Sequence, residues 1–154
     1  MNKSFVFPSI LFVLIVIAQS CSKNSTDTST PPANSLPSSI TAGTGWSISN
    51  FSQRGEDKTS AFQGFVFYFN ASGSISAKNN SATTNGSWTY TPSAVGYYGS
   101  TPSKASFTIS IGNAEPLSRL TKTWNIDSTA TTSNRLVLLS PEVLENETVI
   151  FSKQ

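Results

Sequence analysis

The stretch Phe65–Asn70 reads FVFYFN, with Phe65, Phe67 and Phe69 on one side of an extended chain and Val66 and Tyr68 on the other. Successive side chains of a strand point to opposite faces, so this segment is built for a sheet. The turn ASG follows, and SISAK (Ser74–Lys78) returns, which predicts a hairpin. The same period of two recurs in WSISNF (Trp46–Phe51), GSWTY (Gly86–Tyr90), ASFTISI (Ala105–Ile111) and TWNID (Thr123–Asp127). RLVLLS (Arg135–Ser140) is a continuous apolar run, and TVIFS (Thr148–Ser152) follows it. Gly, Asn, Ser and Pro clusters separate these segments. About eight short strands with short connections predict an all-β fold: an eight-stranded antiparallel up-and-down barrel, with a β-sandwich as the alternative. One segment reads helical. In Asn113–Lys122, a capping Asn and an early Pro precede Leu117 and Leu120, which predicts a turn or two acting as a lid or plug.

The first forty residues have a different character. Lys3 precedes the uncharged run FVFPSILFVLIVIA (Phe5–Ala18), and Ala18-Gln19-Ser20 leads to Cys21. A basic start, a short apolar run and small residues before a cut predict a signal peptide over 1–20. Pro8 and the short length argue against a permanent span. Cys21 is the only cysteine, so no disulfide forms within the chain. The segment resembles the lipobox of bacterial lipoproteins, which implies an acylated Cys21 and a membrane reached through that anchor. Residues 22–39 hold nine Ser/Thr and three Pro and no aromatic, too little apolar surface to offset ordering, so 21–40 should be a disordered tether. A domain over 41–154 remains. Ser22 carries no acidic retention signal, which points to the outer membrane of the cell envelope, on a face the sequence leaves open.

Within the body, GTGWSISNFSQRGEDKTSAFQGFVFYFNASGSISA followed by NGSWTY is similar to the lipocalin-like domain of small Gram-negative envelope lipoproteins. The shared marks are Trp46, the Glu56-Asp57 loop, Phe62-Gln63-Gly64-Phe65 through Phe69-Asn70, Gly73, Gly86-Ser87-Trp88 and Pro116-Leu117…Leu120…Trp124. The resemblance implies a small eight-stranded meander barrel and no particular activity. In lipocalins a basic residue at the end of the last strand stacks on the first-strand Trp; here Lys153 is the candidate for Trp46.

The residue inventory narrows the chemistry. No histidine occurs, which removes the commonest general base and every Ser-His or Cys-His pair. Ten basic and eight acidic side chains nearly balance, which gives no electrostatic reason to expect nucleic acid. No enzyme activity, cofactor or metal is implied. Glu145 and Glu147, two apart, fall within the span of paired glycosidase carboxylates, but a charged, solvated approach to the last strand is the preferred reading. Glu56 and Asp57, between Arg54 and Lys58, read as a solvated, self-compensated loop. Trp46, Phe65, Phe67, Phe69, Trp88, Phe107 and Trp124 alternate inward, to fill the barrel or to line a small pocket. Tyr97 and Tyr98, in the Gly-flanked loop VGYYGST, are placed to meet a ligand at a barrel mouth or to close that end. The expected function is therefore a non-catalytic, monomeric, envelope-anchored module that binds a small apolar or glycan ligand through Tyr97, Tyr98, Trp88 and Trp124. A structural or protein-interaction lipoprotein with a filled barrel is the alternative.

Overall fold

The computed structural model describes residues 38–154, with Tyr97, Gly99, Ser100 and Pro102 excepted. The leader, Cys21 and the tether up to Pro37 lie outside the described residues. The strands are β1 (Trp46–Gln53), β2 (Glu56–Asp57), β3 (Val66–Phe69), β4 (Ser74–Lys78), β5 (Thr83–Thr91), β6 (Ser106–Ser110), β7 (Lys122–Ile126), β8 (Arg135–Leu139) and β9 (Thr148–Lys153). β2 is a two-residue return onto the end of β1 and stands outside the wall. The other eight pair as antiparallel neighbours in the order β1-β3-β4-β5-β6-β7-β8-β9, and β9 pairs back onto β1 from Trp46↔Lys153 to Ser52↔Thr148. The sheet is thus a closed eight-stranded antiparallel barrel, which settles the choice against a sandwich. Closure leaves none of these apolar strands with an open edge.

An antiparallel meander has two ends, and consecutive loops alternate between them. At the base lie the incoming residues 38–45, the hairpin 70–73, the loops 92–105 and 127–134, and the end of β9. At the rim lie residues 54–65, 79–82, 111–121 and 140–147. Each end is plugged. A helical turn, Ser38–Thr41, sets Ile40 into the core at the base. At the rim, the 3-10 turns Thr59–Phe62 and Leu117–Leu120 bury Phe62, Leu117 and Leu120. The second of these is the plug expected in Asn113–Lys122.

Between the plugs the axis is occupied by rings. Phe69 meets Trp46, Trp88, Phe107 and Phe151 at centroid distances of 6.5, 6.2, 5.6 and 5.5 Å, mostly edge to face. Trp88 stacks on Phe107 at 5.3 Å, and Phe67 abuts Phe151 at 5.3 Å. Such ring pairs prefer offset and edge-on geometry and add to the burial of their large apolar surfaces. Leu136, Leu138, Val149 and Ile109 complete the wall's inner face. Phe65, expected inside, is only half-buried and packs against the core from its margin.

Candidate functional site

The rim carries a layer of polar side chains on the barrel's inner face. β7 turns Trp124 inward, so Lys122, two residues earlier, shares that face. β9 turns Val149 and Phe151 inward, which puts Glu147 on the same side. In β1 the register shifts between Ile48 and Asn50, so the buried face passes from Trp46 and Ile48 to Phe51, and Gln53 follows it. Three strand ends thus aim at one point. Glu147, only 4% exposed, accepts hydrogen bonds from the Lys122 ammonium and from Gln53 Nε2. Lys122 Nζ also donates to Glu145 Oε2 at 2.9 Å and lies 5.0 Å from the centre of the Trp124 ring. Ser140 Oγ donates to the same Glu145 oxygen at 2.9 Å.

The charges respond to this packing. Burial works to lower the Lys122 pKa, but the bonds and charges of Glu147 and Glu145 outweigh it and hold the amine above its ordinary range. Glu145 is held below the usual carboxylate range, first by the Lys122 hydrogen bond, then by the Ser140 hydroxyl and the Lys122 charge. The solvated reading is therefore corrected for Glu147, a buried acceptor; Glu145 shares the same cation but keeps 42% of its side-chain surface exposed. The available signal was a charged residue at an inward position at the start of a strand, seen twice, before Trp124 and before Val149. Glu56 and Asp57 do remain exposed, with Glu56 paired to Lys58.

Of the expected ligand residues that are described, Tyr98 lies on an exposed loop, whereas Trp88 and Trp124 are fully packed core residues. Their indole N–H groups are used internally: Trp88 donates to the carbonyls of Asn70 and Ser74 at 3.1 Å each, and Trp124 to that of Leu120 at 3.0 Å. Trp46 does the same to Ile40 at 3.2 Å. Each of the three tryptophans ties a turn at a barrel end to the core, a task that sequence reading did not assign them. Tyr98 is 94% exposed, with φ of 46°, so it does not close the barrel end. Tyr97 lies outside the described residues. Lys153 Nζ lies over Trp46, 5.7 Å from the ring centre.

A groove of about 590 Å³ is lined by Ser93, Ser103, Lys104, Asn125, Asp127 and Val143 among others. Among the described residues no group of three or more His, Cys, Asp and Glu side chains could hold a metal ion, and no helix is long and apolar enough to cross a membrane. The chain matches no protein-family model, no curated protein and no solved structure.

Proposed function

We propose that this chain is a lipid-anchored cell-envelope protein whose barrel is non-catalytic and works through its outer surface. The carrying observation is the unbroken contact of rings along the axis, from Trp46 through Phe69 to Trp88 and Phe107, between plugged ends. A lumen so filled leaves the wall and loops as the places where a partner can be met. The anchor is supported by the short apolar run, the small residues before Cys21 and the Ser/Thr/Pro segment behind it. Two acyl chains would make such attachment stable, where one would be marginal. Kinship with lipocalin-like envelope lipoproteins belongs to the same proposal, supported by the closed meander and by Lys153 over Trp46. The missing histidine and the capture of the rim carboxylates by Lys122 favour a body without catalysis.

The test has two parts. Labelled fatty acid should enter the wild-type chain and be absent from Cys21→Ala; equal labelling of both would end the lipoprotein reading. An environment-sensitive apolar dye should show no saturable binding to the native barrel, and stoichiometric uptake with quenching of Trp88 and Trp124 would restore a ligand-filled lumen.

The groove favours a second reading, in which a short glycan lies against Asn125, Asp127, Lys104 and Val143. Chemical-shift changes confined to those residues on titration with envelope oligosaccharides would support it, and an unperturbed spectrum would remove it.

A further inference from the structure

The near balance of charge conceals an uneven distribution. Seven acidic side chains belong to the described residues, and six of them (Glu56, Asp57, Glu115, Glu142, Glu145 and Glu147) lie in rim segments, leaving Asp127 alone at the base. Counting side chains alone, the base carries Lys104, Arg135 and Lys153 against that single carboxylate, three charges against one. The rim carries five basic residues (Arg54, Lys58, Lys78, Arg119 and Lys122) against six acids, a formal −1, and the pairs Lys58–Glu56, Arg119–Glu115, Lys122–Glu145 and Lys122–Glu147 are there. Lys104 and Arg135 are exposed. The base also bears two large exposed apolar side chains on the loop between β5 and β6, Val95 at 90% and Tyr98 at 94%. Ser38, where the described chain begins, lies at this same end. The seventeen residues 21–37 can separate the body from an anchor at Cys21 by at most about 60 Å, whatever their conformation.

We infer that the base is a second membrane-contact surface, on which Lys104 and Arg135 meet anionic lipid headgroups while Val95 and Tyr98 enter the interface. Basic charge beside an apolar and an aromatic side chain is the composition that binds an anionic bilayer surface. The acidic rim then faces away from the lipid, and the body sits upright instead of tumbling on its tether. This deepens the anchored reading, yet the surface needs no acyl chain to act.

The test uses the chain from Ser22 onward, which lacks Cys21 and any acyl group. Its closed wall and whole core lie between Ile40 and Lys153, so the fold is complete without the leader. Flotation with vesicles of equal parts phosphatidylglycerol and phosphatidylcholine should carry this chain along, weakly, and pure phosphatidylcholine should not. Each basic charge at the surface changes partitioning about fivefold, so the double variant Lys104→Gln, Arg135→Gln should lose roughly tenfold or more. Val95→Ser with Tyr98→Ser should lose binding too. Leu144→Ser removes an equally exposed apolar side chain, but from the acidic rim, and should change nothing. Unchanged thermal melting of each variant separates surface loss from misfolding. Equal binding to neutral vesicles, no binding to anionic ones, or the same loss in Leu144→Ser would overturn the inference. Failure of acylation at Cys21 would leave these outcomes untouched, so the two readings fall separately.

Discussion

Lys122 is one ammonium serving two carboxylates and one indole face, and removing it separates those interactions. A Lys122→Met chain strands Glu147 in a site that water barely reaches, with Gln53 as its remaining partner. Breaking a buried pair from one side costs more than replacing both partners. The single change should lower stability on the order of 2 kcal/mol, short of a fully buried pair because the Lys122 side chain keeps a quarter of its surface. Lys122→Met with Glu147→Leu should regain most of that loss, read as a non-additive double-mutant cycle in urea unfolding. Additive losses would mean that the two side chains do not depend on each other. Phe69 poses the simpler case. Its ring touches four other aromatics, so Phe69→Ala opens a void that several rigid rings line and none can fill. We expect a loss of about 3–5 kcal/mol. A loss under about 1 kcal/mol would show a core loose enough to collapse.

At the scale of the element, period two made the wall legible. All eight segments singled out in the sequence, most of them by alternation and Arg135–Ser140 as a continuous apolar run, contain strands, and Leu117–Leu120 is the expected short plug. Alternation works where one face of a strand is buried and the other wet; β8, with Leu136, Val137 and Leu138 all buried, reads instead as a continuous apolar run. Alternation fails where a strand breaks its own register. The shift between Ile48 and Asn50 in β1 exchanges faces, and by plain alternation Gln53 points outward. The rim cluster was hidden for that reason, and because its members come from β1, β7, β9 and the loop between β8 and β9. Ring contacts across the axis are equally silent in a linear pattern, which is why alternation favours a filled barrel by the number of large rings alone and leaves a small pocket as the alternative.

Gly86 in β5 belongs to this scale as well. A β-carbon there would lie 2.0 Å from the Ser110 carbonyl oxygen and 2.8 Å from the Ile111 Cα, both backbone atoms with no side-chain torsion to relieve them. At Gly45 the nearest obstacle is Val66 Cγ1 at 2.6 Å, the end of a side chain. Gly86→Ala should therefore cost about 2–3 kcal/mol and Gly45→Ala distinctly less, compared by thermal unfolding. Equal costs would mean that β5 and β6 can part without loss.

For the whole molecule, pH is the natural probe of the rim. The depressed Glu145 adds stability above its unfolded pKa, and that is lost as pH falls through the lower folded value. The raised Lys122 adds stability below its unfolded pKa, lost as pH rises through the higher folded value. Glu56, Asp57 and Asp127 are also lowered, chiefly by hydrogen bonds from Lys58, Thr59 and Thr129 respectively, and they act on the acid side. Melting temperature should thus be level through neutrality, falling below about pH 4 and again above about pH 10. In Lys122→Met the alkaline fall should flatten. An identical alkaline limb in both chains would remove Lys122 as its source.

The pairing of β9 with β1 bears on how such a chain is born. Trp46 and Lys153, neighbours in the finished wall, are separated by nearly the whole domain. A polypeptide delivered from its N-terminus, by ribosome or by translocase, cannot close until its last six residues of strand have arrived. Until then β1 and β8 each lack a partner and the axis is open to water along one seam. Contacts this distant in sequence also form slowly. The same seam that makes the mature wall edgeless keeps the growing chain unfinished, and so threadable through a narrow pore, up to its final moments.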